Sequence, residues 1–246
     1  KMPMYSVYRK EINSFLSSLI AYIVIIVFLM MVGLFMWVIP DTSVLSYNYA
    51  TLDQLFTLAP LVFLFLIPAT TMRSFAEERQ TGTIEFLSTK PISELEIVGA
   101  KFLANLTLVL FALLPTAIYY YSVYKLGYPE GNLDSGGIMG SYIGLFFLAA
   151  VFVAIGIFVS SITNNQIVSF ILAAFLCFIC YFAFGFLSNL PIFVGSLDYT
   201  IQEMGISYHY AALSKGVIDS RSVVYFLTVI FFFIVLTMYS LKQRRG

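Results

Sequence analysis

Apolar residues gather in six long runs along this chain, and shorter polar stretches separate them. The runs extend approximately from Leu19 to Ile39, Leu55 to Met72, Phe102 to Tyr121, Met139 to Val159, Ile167 to Leu187 and Val223 to Leu241. Each reaches the ~18 residues that mark a helix able to cross a bilayer. A transmembrane strand would alternate apolar and polar positions over about ten residues. Ile23 to Val32 instead runs without a polar residue. The pattern predicts an all-α polytopic membrane protein, with six transmembrane helices in one domain over 1–246.

The stretches between the runs carry their own periodicity. Tyr8, Ile12, Phe15 and Leu19 recur three or four residues apart, with Arg9, Lys10, Glu11, Asn13 and Ser14 on other faces. Residues 4–18 therefore read as an amphipathic helix lying at the membrane interface. The most charged local stretch, Glu77 to Leu87, lies in a polar segment over 73–101. Ser74 with Glu77, and Ser93 with Glu96, have the spacing of capping boxes and predict two helix starts there. Ile84, Phe86 and Leu87 add a small apolar patch between them. Residues 188–222 are too aromatic and aliphatic for a plain tether, so one or two short helices are expected. Pro60, Pro68 and Pro115 fall inside apolar runs, where a missing backbone donor predicts bends. Gly140, Gly144 and Gly156 would permit close helix approach or be neutral.

Composition narrows the function. The chain is 60% hydrophobic and 11% charged, with a formal net charge of zero, which gives nucleic acid no electrostatic attraction. With both ends inside, the inner loops and termini hold Lys1, Arg9, Lys10, Arg73, Arg79, Lys90, Lys101, Lys242, Arg244 and Arg245. The outer ones hold Lys125, Lys215 and Arg221. That asymmetry predicts cytoplasmic termini, a cytoplasmic 73–101 segment and an outer 188–222 segment. The first run is too long for a signal-peptide core, and no small-residue cleavage pattern ends it.

Candidate chemistry is sparse. Cys177 and Cys180 share one apolar run and lack the companion ligands of a metal or redox site. His209 is the single histidine, too few for a conventional metal site. No acid or base occupies the centre of a run, which weakens the secondary-carrier, intramembrane-protease and cation-channel readings. No phosphate-binding G-x-x-x-x-G-K-[ST] loop occurs, so any nucleotide must bind another chain.

The run Phe75-Ala76-Glu77-Glu78-Arg79-Gln80-Thr81-Gly82-Thr83-Ile84-Glu85 and its continuation Leu87-Ser88-Thr89-Lys90-Pro91-Ile92-Ser93 resemble the first intracellular coupling region of ABC-2 type exporter permeases. Ser207 to Tyr210 and Ser214 to Asp219 resemble that family's outer helical insertion. The likeness is strongest to gliding-motility-associated permeases of Bacteroidota. It implies a permease without catalytic residues or bound metal, working beside a second copy or a related membrane subunit with an extracytoplasmic domain. A separate pair of ABC ATPase subunits would bind ATP and Mg. The implied docking residues are Glu77, Glu78, Thr81, Gly82, Ile84, Glu85, Phe86, Leu87 and Pro91, with Asn164 and Asn165 in a smaller intracellular turn. Two other readings stay open: a non-transporting membrane anchor or assembly subunit, and a secondary carrier with a neutral pathway.

Overall fold

The computed structural model describes residues 3–46, 49–83, 92–193, 195, 197–216 and 219–243. The described residues form helices and no strands. Six candidate membrane spans cover Leu19–Trp37, Asp53–Gln80, Glu94–Leu126, Ser135–Ile162, Gln166–Ser188 and Ser220–Gln243. The chain is an all-α, multi-pass membrane protein.

Helix α1 (Pro3–Leu16) precedes the first span, α2 (Leu19–Trp37). Ser18 separates them and caps α2 by accepting from the Ile20 amide at 3.3 Å. The inward stripe of α1 is Val7, Glu11 and Phe15, four residues apart. The sequence pattern places Glu11 on an outer face; the structure turns it inward. Phe15 packs with Ala21, Ala104 and Leu108. Leu19 belongs to α2 and is exposed.

The second span is α3 (Asp53–Thr71) followed at Met72 by α4 (Arg73–Gln80). Pro60 and Pro68 both lie within α3, and neither breaks it. Met72 keeps helical dihedrals, so the chain passes from α3 into α4 without leaving the helical region. Ser74 consequently lies inside a helix, and the expected Ser74–Glu77 capping box does not form. The Ser93–Glu96 box does form and starts α5 (Glu94–Leu113). That start lies well before the apolar run at Phe102, because capping, not hydropathy, sets the boundary. Much of the polar 73–101 segment is thus helical, with α4 continuing from α3 instead of starting at a Ser74 cap. At Pro115 a 3-10 turn (Leu114–Thr116) separates α5 from α6 (Ala117–Leu126).

Helix α7 (Ser135–Ile162) is the spine, with Leu145, Leu148, Phe152 and Ile155 wholly buried. It packs against α3, α5, α8 (Gln166–Ser188) and α11 (Ser220–Gln243). Lipid tails are as apolar as leucine, so hydrophobicity alone does not hold membrane helices together; close van der Waals contact does. The small residues of α7 supply it. A Cβ on Gly140 would sit 2.7 Å from the Gly216 Cα, and one on Gly144 would sit 2.7 Å from the Leu213 Cβ. A Cβ on Gly156 would collide with the Thr71 side chain. The three glycines are therefore contact points. Between the last two spans lie the expected short helices, α9 (Asp198–Glu203) and α10 (Ile206–Leu213). Cys177 is buried, Cys180 is half-buried, and both are free thiols.

Candidate functional site

One end of the bundle gathers most of its charged contacts where α1, α4 and α5 meet. Lys101, in the second turn of α5, is wholly buried. Its ammonium lies 2.9 Å from Glu11 Oε1 and 3.1 Å from Glu78 Oε1, and it donates to the Ser74 carbonyl. It also stands 4.9 Å above the centre of the Phe75 ring. Lys10 reaches in from α1, 2.7 Å from Glu78 Oε1 and 3.7 Å from Glu11 Oε1. Two lysines and two glutamates thus form a locally neutral cluster. Neutrality matters because a buried charge is tolerated only with a partner. Burial opposes the positive charge on Lys10. The Glu78 hydrogen bond and the fields of Glu78 and Glu11 outweigh that effect and raise its pKa above the ordinary lysine value.

The neighbouring polar groups extend the cluster. Asn105, one turn beyond Lys101, donates to Ser74 Oγ at 3.1 Å and to the Lys101 carbonyl at 2.9 Å. Arg73 makes a two-pronged pair with Glu77, Nε to Oε2 at 2.8 Å and Nη2 to Oε1 at 3.1 Å. Its third prong donates to Ser18 Oγ, at the joint between α1 and α2, at 2.8 Å.

The first amides of a helix lack carbonyl partners within it. Ser160 of α7 meets that need for α4. Its hydroxyl accepts from the Phe75 and Ala76 amides at 3.0 and 3.1 Å and donates to the Met72 carbonyl at 3.0 Å. The α3–α4 joint is thereby capped from across the bundle, one turn beyond the tight Gly156–Thr71 contact. Helix α4 is thus tied to the spine through Ser160, to α1 through Glu78 and to α5 through Lys101.

The residues expected from sequence fall in three groups. Glu77, Glu78, Thr81 and Gly82 lie together on α4 and its exit. Glu77 is partly exposed and held by Arg73, whereas Glu78 is buried in the cluster. Thr81 Oγ1 donates to the Glu77 carbonyl at 2.9 Å, and Gly82 takes the left-handed conformation, φ +70°. Asn164 and Asn165 are exposed in the turn before α8, which α4 also touches. Asn165 caps α8, accepting from the Ile167 amide at 2.8 Å. Ile84, Glu85, Phe86, Leu87 and Pro91 lie outside the described residues.

Sequence reasoning missed Lys10, Glu11, Lys101 and Ser160 as members of this site. A signal was present for two of them. Lys101 is a lone cation leading an apolar run with Asn105 one turn on, and Glu11 interrupts the Val7–Phe15 stripe. Among the described residues no group of His, Cys, Asp and Glu is placed to hold a metal ion. The arrangement is suited to carrying displacement between helices.

Residues 38–202 match the family described as ABC-2 family transporter protein, well over half of the 246 residues. The matched segment holds Glu78, Lys101 and Ser160, while Lys10 and Glu11 precede it. No curated protein matches the chain.

Proposed function

Because the chain belongs to the ABC-2 transporter family, we propose that it is the permease subunit through which a separate pair of ABC ATPase subunits drives export or envelope work. ATP and Mg bind those subunits. In this reading the permease lies in a bacterial inner membrane with both termini and the α4 end in the cytoplasm. It pairs with a second copy or with a related membrane subunit bearing an extracytoplasmic domain. The likeness to gliding-motility permeases makes surface motility the process such work would serve.

The observation that carries this reading is the wiring of α4. The 84–91 segment, with its apolar patch and Glu85, follows α4 directly in sequence. ATP-driven closure of the partner subunits displaces that segment. Helix α4 passes the displacement to the spine through Ser160 and to α1 and α5 through the Lys101 cluster. Glu77 and the Asn164–Asn165 turn supply the polar border of the same contact.

Two variants separate the parts of the proposal. Replacing Ile84, Phe86 and Leu87 together with Ala is expected to abolish co-purification of the ATPase while the permease still inserts. Ser160→Ala is expected to leave the ATPase bound but lower the stimulation of ATP hydrolysis by the permease. An ATPase retained at full yield by the triple variant would remove the docking assignment. Undiminished stimulation in Ser160→Ala would remove the transmission route.

A further inference from the structure

At the end of the bundle opposite the Lys101 cluster, α3, α8 and α10 enclose an open cleft of ≈ 430 Å³. Its wall joins the rings of Phe56, Tyr181 and Tyr210 to the hydroxyls of Thr57, Ser207 and Ser214. Asp53 and Lys215 stand at its rim and also line a smaller adjoining recess. Both are exposed, and they form no ion pair with each other. Among the described residues neither side chain has a charged partner. Asp134, the other acid of the smaller recess, is engaged: its Oδ1 accepts from the Gly137 amide at 2.9 Å.

Lys215 is no loose surface lysine. It sits at the end of α10, between Ser214 and Gly216, and that strand of backbone is clamped to the spine. The Ser141 hydroxyl donates to the Ser214 carbonyl at 2.7 Å. Gly216, at φ +80°, meets Gly137 and Gly140 with no room for a Cβ. The Tyr210 hydroxyl donates to the Phe56 carbonyl and closes the floor between α10 and α3. The base at 215 and the acid at 53 are therefore held on backbones fixed relative to each other.

From this geometry we infer that the cleft binds the head group of a zwitterionic phospholipid of the phosphatidylethanolamine type. The phosphate meets Lys215 and the ammonium meets Asp53. A purely anionic head group would leave its charge facing Asp53, and a purely cationic one would face Lys215; only a ligand carrying both signs satisfies both residues. A lipid fits better than a free solute because Tyr181 belongs to α8. That helix leaves Phe175, Phe178 and Ile179 exposed within two turns of Tyr181, an apolar surface for acyl chains to follow from the cleft. The inference concerns a binding site and holds whether or not an ATPase works this permease, so its failure and the failure of the coupling proposal are separable.

The test is native mass spectrometry of the full chain, purified in mild detergent and titrated with phosphatidylethanolamine, phosphatidylglycerol or water-soluble glycerophosphoethanolamine. Phosphatidylethanolamine is expected to remain bound about tenfold better than phosphatidylglycerol, the scale of one charge-assisted hydrogen bond. Asp53→Asn is expected to erase that preference, Lys215→Met to weaken retention of both lipids because both carry the phosphate, and Lys215→Arg to keep retention and preference alike. Both positions are exposed, so the variants should elute and melt like the parent protein. Equal retention of the two lipids, a preference unchanged in Asp53→Asn, or undiminished retention of both lipids in Lys215→Met would overturn the assignment. Tight binding of glycerophosphoethanolamine alone would overturn the lipid as occupant.

Discussion

The two ends of this bundle are fastened by different physics. At the Lys101 end, four charged side chains from three helices share one pocket, and each glutamate serves two lysines. At the Lys215 end, backbone meets backbone: Gly216 against Gly137 and Gly140, with Tyr210 and Ser141 bonded to main-chain carbonyls. Coulomb attraction falls off slowly with distance and tolerates exchange of partners. Glycine contact is lost within a fraction of an ångström. The first kind of joint can shift and remain closed. The second holds one register or opens. The proposed coupling would put the tolerant joint where force enters and the stiff one where the helices keep their spacing.

The sharpest way to break this contrast is at Lys101. Lys101→Met leaves Glu11 and Glu78 buried without their main counter-charge and is expected to destabilise the protein by about 3–5 kcal/mol, read as loss of monodisperse protein and a lower Tm. Adding Glu11→Gln and Glu78→Gln to the same chain should restore most of it. If it does not, packing around the lysine stem matters more than charge. At the other end, Gly140→Ala presses a methyl against Gly216 and should cost roughly 1–3 kcal/mol. Gly185→Ala, where a Cβ meets no atom within 4 Å, is the matched control and should melt like the parent.

The smallest expected effect is a difference in pH response. Lys10 has a raised folded pKa, so its contribution is complete below about pH 10.5 and is lost as pH rises through the folded value. His209 has the opposite sign. Burial against Tyr225, whose ring lies 4.1 Å away, lowers its pKa despite the nearby carboxylates of Glu203 and Asp219. Its contribution is complete above about pH 6.5 and is lost as pH falls toward the lower folded value. Alkali should loosen α1 first, and acid should loosen α10 first. Comparing the hydrogen-exchange protection of the two helices above about pH 10.5 and below about pH 6.5 reads this directly. Matching responses from α1 and α10 would erase the distinction.

How far each element could be read in advance follows from the kind of signal it leaves. Six spans, two short helices in the 188–222 segment and the Ser93 start were legible, because hydropathy and capping are local properties of neighbouring residues. Two helix starts were expected in the 73–101 segment, and the one at Ser74 failed because α3 runs on through Met72 into α4. Glu78 and Lys101 face charges on other helices, and no local window shows that. The partnership of Lys101 with Glu11 joins residues 90 positions apart. The capping of α4 by Ser160 spans 85. Glycine was the intermediate case: its presence in α7 marked possible close contacts, but the partners Leu213, Gly216 and Thr71 emerged only from the packing.

The nearly unbroken helical path through α3 and α4 has a further consequence in length. Asp53–Gln80 counts 28 residues, roughly 42 Å at the helical rise. The hydrocarbon layer is about 30 Å deep. A rod of that size overshoots the oily interior by about two turns, the length of α4. In the coupling proposed above, a soluble partner would find this lever on the water side, like a tiller, without breaching the headgroups.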